Sequence, residues 1–101
     1  MNDYLFLMHR ASAEVSHRES QYDWATYIAK LQATGNFGGG SAIGTGECVT
    51  KSGAVQEITS HLTGYVRVQA ENMHHARKLL EGNPLFEAGG TVEIRELPRT
   101  D

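Results

Sequence analysis

Gly64-Tyr65-Val66-Arg67-Val68-Gln69-Ala70 alternates apolar and polar side chains with a period of two, the pattern of a strand with one buried face. Beyond it, Asn72 is of the residue type that caps helix N-termini, and Met73, Ala76 and Leu80 recur at i, i+3 and i+7. That spacing predicts a helix with a single apolar stripe. Arg77 and Lys78 fall near its C-terminal end, where positive charge meets the negative pole of the helix dipole. Gly82 offers a C-cap and Pro84 prevents continuation. Thr91-Val92-Glu93-Ile94-Arg95-Glu96-Leu97 alternates again, so residues 62–97 read as strand, helix, strand.

Upstream, Tyr4-Leu5-Phe6-Leu7-Met8 is apolar at every position, as strands are when both faces are covered. His9 closes it. Ser16-His17-Arg18-Glu19 fits a capping box, with residues 20–23 a second place for the same helix to begin. Trp24, Ile28 and Leu31 form that helix's stripe, widened by Tyr27, and Gly35-Asn36 ends it. Glu47-Cys48-Val49-Thr50 and Ala54-Val55-Gln56-Glu57-Ile58 are expected to pair as a hairpin across Lys51-Ser52-Gly53, with Cys48 a small core residue. The order is strand, helix, strands, helix, strand. It predicts an α+β fold: a ferredoxin-like split βαβ, with an antiparallel sheet carrying both helices on one face.

Composition bounds the rest. A chain of 101 residues is one domain spanning residues 1–101, with 40% hydrophobic and 21% charged content, as in ordinary globular proteins. A net charge of −3 and scattered Lys and Arg argue against nucleic acid as a partner. The N-terminus has no signal-peptide pattern, and residues 4–8 are too short to span a bilayer, which predicts no membrane partner. Cys48 is the single cysteine, which excludes an intrachain disulfide and fits a reducing cytoplasm.

Two helices cover one sheet face, yet the first strand is apolar on both. Leaving a Leu or Phe exposed forgoes about 1.5–3 kcal/mol per side chain. The expected solution is a two-fold homodimer joined sheet to sheet, with Tyr65, Arg67, Gln69, Glu93 and Arg95 on the shared face.

Tyr4-Leu5-Phe6-Leu7-Met8-His9, Trp24, the helix end at residues 31–35, Leu62-Thr63-Gly64-Tyr65, the helix start at residues 72–76, Pro84 and Val92-Glu93-Ile94-Arg95 together resemble the YCII-related proteins. The branch in question is the one named for an Asp-Gly-Pro-Phe motif. Ser52-Gly53-Ala54-Val55-Gln56-Glu57 stands in that motif's place, keeping the glycine and the last glutamate. The resemblance implies a ferredoxin-like fold of the dimeric α+β barrel type. One branch is similar to a chloromuconolactone dehalogenase, with a His–Asp pair in a cleft between sheet and helices. Carried over by position, that His falls at Trp24 and that Asp at Asn83. Neither side chain can do acid–base work, so the resemblance implies the fold and leaves the enzyme in question.

The site residues expected to line a ligand cleft are His9, Trp24, Tyr27 and Asn83. An imidazole at a strand end can bind a ligand or move a proton near neutral pH. Trp24 and Tyr27 are suited to an apolar pocket, though both sit on the helix's core stripe, which simple packing explains more readily. His74 and His75 are helix neighbours that point apart and cannot share a metal. No zinc, phosphate-loop or dinucleotide motif is present, and Ser41 lies in no nucleophile motif, so no metal or cofactor is implied. Three functions fit: a cleft holding an apolar or weakly acidic small molecule, a lactone- or halide-processing enzyme with its acid–base work moved to His9, and an interaction module serving a transcription regulator.

Overall fold

The structure, a computed structural model, describes residues 1–53 and 57–99. Its elements run β1 (Asn2–His9), α1 (Ala13–Glu19), α2 (Trp24–Thr34), β2 (Phe37–Ala42), β3 (Leu62–Ala70), α3 (Met73–Lys78), α4 (Pro84–Glu87) and β4 (Val92–Leu97). The four strands form one sheet in the order β2-β3-β1-β4. β1 lies antiparallel to β3, from Asn2 opposite Ala70 to Met8 opposite Gly64, and antiparallel to β4, from Asp3 opposite Leu97 to Met8 opposite Val92. β3 is thereby inserted between β1 and β2, and β1 between β3 and β4, which is the split βαβ arrangement.

Strand alternation decides which face is buried. Tyr4, Phe6 and Met8 of β1 and Val66, Val68 and Ala70 of β3 meet Tyr27 and Leu31 of α2, Ala76 of α3, Leu80 and Leu85 in one core. Phe6, Val68, Ala70 and Ala76 are wholly buried. The opposite face carries Leu5 opposite Arg67 and Arg95, and Leu7 opposite Tyr65 and Glu93. Both leucines are half-buried, while Tyr65, Arg67, Gln69 and Arg95 are exposed. Arg67 reaches Asp3 at 3.4 Å and Arg95 reaches Glu93 at 3.1 Å across this face. The molecule measures 46 × 42 × 20 Å, its short dimension being two layers, one of sheet and one of helix.

The helices begin where side chains satisfy free backbone N–H groups. The expected capping box at Ser16 is not used. Ser12 caps α1, and Asp23 caps α2 by accepting from Ala25 N at 3.1 Å and Thr26 Oγ1 at 2.7 Å. Those bonds, Thr26's first, hold the Asp23 carboxyl below its usual range. The chain therefore makes two helices here, separated by a turn. Gly35 ends α2 at φ 78°, in the left-handed region where glycine is favoured. Asn72 caps α3 by accepting from His75 N at 2.8 Å. Met73, expected on the apolar stripe, is 42% exposed. α3 starts only three residues after β3 ends, so its first turn overhangs the sheet and docking falls to Ala76 and Leu80. Pro84 opens α4 as its first residue, a position whose missing N–H costs nothing.

The expected hairpin is corrected. Residues 47–50 form no strand, and Ala54, Val55 and Gln56 lie outside the described residues. β3's edge partner is instead Phe37-Gly38-Gly39-Gly40-Ser41-Ala42. Glycine is required there by close approach: a Cβ on Gly40 would stand 2.6 Å from Tyr65 O. A register shift between Phe37 and Gly40 marks a bulge, with Gly39 at φ 112°. Cys48 is not a core residue. It sits half-buried in the irregular run after β2, with Sγ 3.7 Å from Glu57 O.

Candidate functional site: a cleft at the end of the first strand

A cavity of about 670 Å³ opens between the helices and the β1-β3-β2 side of the sheet. That volume suits a small organic ligand. Its sheet wall is built from small residues, Gly40, Ala42 and Gly64, with Val66 and Met8 beside them. Where larger side chains would fill the space beneath the helices, these leave it open. Trp24 and Ile28 of α2, Ser16 and Glu19 of α1, Phe37 and Leu85 supply the remaining walls.

The helical wall is fixed by polar ties. Arg18 donates from Nε to Ala88 O at 3.0 Å and from Nη1 to Glu14 Oε1 at 2.9 Å, holding α1 against the end of α4. Trp24 Nε1 donates to Glu19 Oε2 at 3.0 Å, joining the two helices across their turn. The indole also stands edge-on to the Tyr27 ring, with centroids 5.9 Å apart. Trp24 is thus oriented from both sides, with its polar edge occupied.

At the β1 end the ladder register shifts between Met8 and His9. The extra residue at that shift is Thr63 of β3, so β1 keeps its alternation: Met8 faces the helices and His9 follows Leu5 and Leu7 onto the outer face. Both Met8 and His9 border the cavity. His9 N donates to Thr91 O at 3.1 Å, and Arg10 N to His61 O at 2.6 Å. The Arg10 side chain forks onto Ser60 O through Nε and Nη2, at 3.1 and 3.0 Å. His9 Nε2 lies 2.8 Å from Glu93 Oε1, and the His61 ring stands edge-on to His9 at 5.0 Å. Glu93 Oε2 accepts from Arg95 Nη1 at 3.1 Å. Bonds from His9 and then Arg95 hold the Glu93 carboxyl below its usual range, so it is an anion at neutral pH.

The structure divides the four expected cleft residues. His9 and Trp24 border the cavity. Tyr27 and Asn83 do not; they lie in the core beneath it, 2% and 0% exposed. Tyr27 donates its hydroxyl to Leu79 O at 2.8 Å, and burial pushes that hydroxyl's pKa up to about 12. Asn83 caps α4, its Oδ1 accepting from Phe86 N at 3.0 Å. Asn83 Nδ2 stands near the Tyr27 hydroxyl without completing a hydrogen bond, and has no partner among the described residues. Tyr65 lies opposite Leu7 on the outer face, with part of the residue reaching the cavity border at the β2 edge.

Sequence reasoning missed Glu93 as the partner of His9, and missed Glu19 and Arg10 on the wall. The His9–Glu93 pair joins residues 84 apart in the chain, and only strand register brings them together. Glu19 carried a readable signal, since a carboxylate five residues before a tryptophan lies across one helix-to-helix turn. His75 Nδ1 accepts from Glu71 N at 3.0 Å, a capping role. Among the described residues no group of three or more His, Cys, Asp or Glu is placed to hold a metal, and no helix is long and apolar enough to cross a membrane.

No family model matches the chain, and no curated protein matches it in sequence. Its backbone is similar to a solved structure, the 5-chloro-2-hydroxyhydroquinone dehydrochlorinase of Burkholderia phenoliruptrix in complex with 2,5-dihydroxybenzoquinone. The two share 14% identity over 97% of this chain and 95% of that one, at a TM-score of 0.59. Together with the strand order, that likeness shows the fold: α+β, a ferredoxin-like split βαβ with an antiparallel sheet.

Proposed function

We propose that this chain binds a small, largely apolar or weakly acidic organic molecule in the cleft, and that it works as a homodimer joined through its outer sheet faces. The cleft carries the reading: about 670 Å³ walled by Trp24, Ile28, Phe37 and Leu85, with a few polar groups at one end. Support for the dimer comes from Leu5, Leu7 and Tyr65 on a face that the helices do not cover. The crossed charges Asp3–Arg67 and Glu93–Arg95 suit a two-fold partner carrying the same pattern. Membership of the YCII-related family belongs to the same proposal, resting on the residues quoted above.

A second reading is an enzyme of the dehalogenase or lactone-processing type. It is favoured by the backbone likeness to a dehydrochlorinase and by an organic-sized cavity beneath the helices.

Trp24 is the chain's single tryptophan and borders the cleft, so its fluorescence reports occupancy. Titration with hydroquinone and with simple lactones is expected to give saturable quenching, weakened by Ile28→Phe, which fills the cavity. Linear quenching unaffected by that change would refute the cleft. Light scattering is expected to give twice the 11.1 kDa chain mass; the monomer mass would refute the interface.

A further inference from the structure

Among the described residues Glu19 is the single carboxylate bordering the cavity, and it is half-buried. Ser16 and Glu19 stand three positions apart on α1 and both border the cavity, so theirs is the face that α1 turns toward it. The carboxylate is placed by the Trp24 indole, itself a wall of the cavity, whose Nε1 donates to Oε2 at 3.0 Å. Oε1 is left over. Among the described residues it has no hydrogen-bond partner, and no cation stands within ion-pair distance of either oxygen. The adjacent Arg18 is engaged by Glu14 and Ala88 O instead. A carboxylate taken partly out of water with neither counter-charge nor full hydrogen bonding is destabilising, and a ligand that supplies the missing donor relieves it.

The other polar side chains around the cavity add acceptors rather than donors. Thr63 Oγ1 donates to Met8 O at 3.3 Å and Ser41 Oγ to Ala42 O at 2.9 Å, which leaves each hydroxyl with lone pairs only. The Arg10 guanidinium is bonded to Ser60 O, and the His9 ring to Glu93 on the outer face. Ser16, whose hydroxyl can donate or accept, is exposed.

We propose that the cleft takes an organic ammonium ion with a ring-sized apolar body, and that Glu19 is the group that recognises it. This rests on the small-molecule reading of the cleft; of the ligands that reading allows, it selects the largely apolar one over the weakly acidic one. The ammonium donates to Glu19 Oε1 in a charge-assisted hydrogen bond, while Trp24 Nε1 keeps Oε2 and so fixes the plane of the carboxylate. Trp24, Ile28, Phe37 and Leu85 bury the apolar body. A neutral alcohol of the same shape makes the same bond without the charge. An ionised carboxylic acid brings a second negative charge beside Glu19 and is disfavoured.

The test uses the full chain at neutral pH with benzylamine, benzyl alcohol and benzoate, three probes of one shape that differ in charge. Binding is followed by calorimetry and by Trp24 fluorescence. Benzylamine is expected to bind saturably and about 10–100-fold more tightly than benzyl alcohol, with benzoate weakest. Glu19→Gln keeps an acceptor for Trp24 Nε1, so it is expected to bring benzylamine down to the affinity of benzyl alcohol, whose own binding changes little. Ile28→Phe, which fills the cavity, is expected to weaken both. Benzylamine no tighter than benzyl alcohol on wild type overturns the ammonium assignment, and benzoate tightest of the three does so in favour of an acidic ligand. That ranking needs no variant, so the proposal can be refuted even if Glu19→Gln does not fold. A preference for benzylamine that persists in folded Glu19→Gln, or that ignores Ile28→Phe, overturns it as well. In each case saturable binding of the alcohol, hydroquinone or a lactone that Ile28→Phe weakens leaves the cleft reading intact. Absence of saturable binding of all these probes overturns both.

Discussion

Removing one oxygen atom from the core tests the packing beneath the cleft and its electrostatics together. Tyr27 is 2% exposed and donates its hydroxyl to Leu79 O at 2.8 Å, tying α2 to the end of α3. In Tyr27→Phe that carbonyl loses its donor, which costs about 1 kcal/mol net at neutral pH. The alkaline side behaves differently. Burial raises the folded-state pKa of the hydroxyl to about 12, from an ordinary value of 10.0. A raised pKa means stability that is complete below the unfolded value and is lost as pH climbs through the folded one. At about 1.36 kcal/mol per pKa unit, the wild type gives up about 1.4 kcal/mol by pH 11 and about 2.3 kcal/mol by pH 12. Tyr27→Phe gives up none of this. The two stability curves should therefore cross slightly below pH 11, the wild type being firmer at neutral pH and the variant at high pH. Urea unfolding of both proteins across pH 8 to 12 measures the difference, and other titrating groups cancel in it. A difference that stays constant with pH, or that grows in favour of the wild type, would show that Tyr27 is not desolvated as described.

Leu31→Ala removes a 2%-exposed side chain from the heart of the core and should cost about 2–5 kcal/mol by denaturant melt. Ile28→Ala, on the cleft wall, should cost less than Leu31→Ala and weaken ligand quenching of Trp24; equal losses would mean that the wall is core. Asn72→Ala strips the cap from α3 and should cost about 1 kcal/mol, with a loss near zero refuting the Asn72–His75 bond. Gly40→Ala forces a methyl against Tyr65 O and should destabilise by about 1–3 kcal/mol, with faster amide exchange confined to the β2 edge. The Asp23 carboxyl titrates below its ordinary value, so the wild type's advantage over Asp23→Ala should be present at neutral pH and fade as pH falls through the folded value; an advantage independent of pH would refute the cap.

Alternation alone was enough to read β3 and β4, because a period of two leaves little choice once one face is buried, and β1 was read from its unbroken apolar run. β2 escaped for a physical reason. Gly38-Gly39-Gly40 looks like a turn, yet here glycine is needed so that two backbones can approach: a Cβ on Gly38 would meet Arg67 O at 3.2 Å. With β2 unread, the sheet edge was assigned to residues 47–58. The site divided along similar lines. His9 and Trp24 were legible because strand ends and aromatic residues on helix stripes tend to border clefts. Tyr27 and Trp24 lie three positions apart on one helix, and only packing decides that Tyr27 goes under the cleft and Trp24 beside it. Glu93 looked like one more charge on an alternating strand. Its bond to His9 depends on Leu7 standing opposite Glu93, and a sequence carries no statement of register.

The strand that comes first among the four in sequence is held in the middle of the sheet, between β3 and β4. β1 has no hairpin partner nearby in the chain: Met8 waits for Gly64 on one side and Val92 on the other. Until β3 has been made, Tyr4, Phe6 and Met8 stand on a strand with two open edges, the condition that invites pairing with another chain, and one edge stays open until β4 follows. Contacts of such long sequence separation also slow folding, since each must close a large loop before it is rewarded. A copy cut short before β4 would leave one side of β1 bare, with its apolar residues in place and no native strand to take them. The six residues of β4, Val92–Leu97, therefore decide whether the eight of β1 are a core or a seed for aggregation.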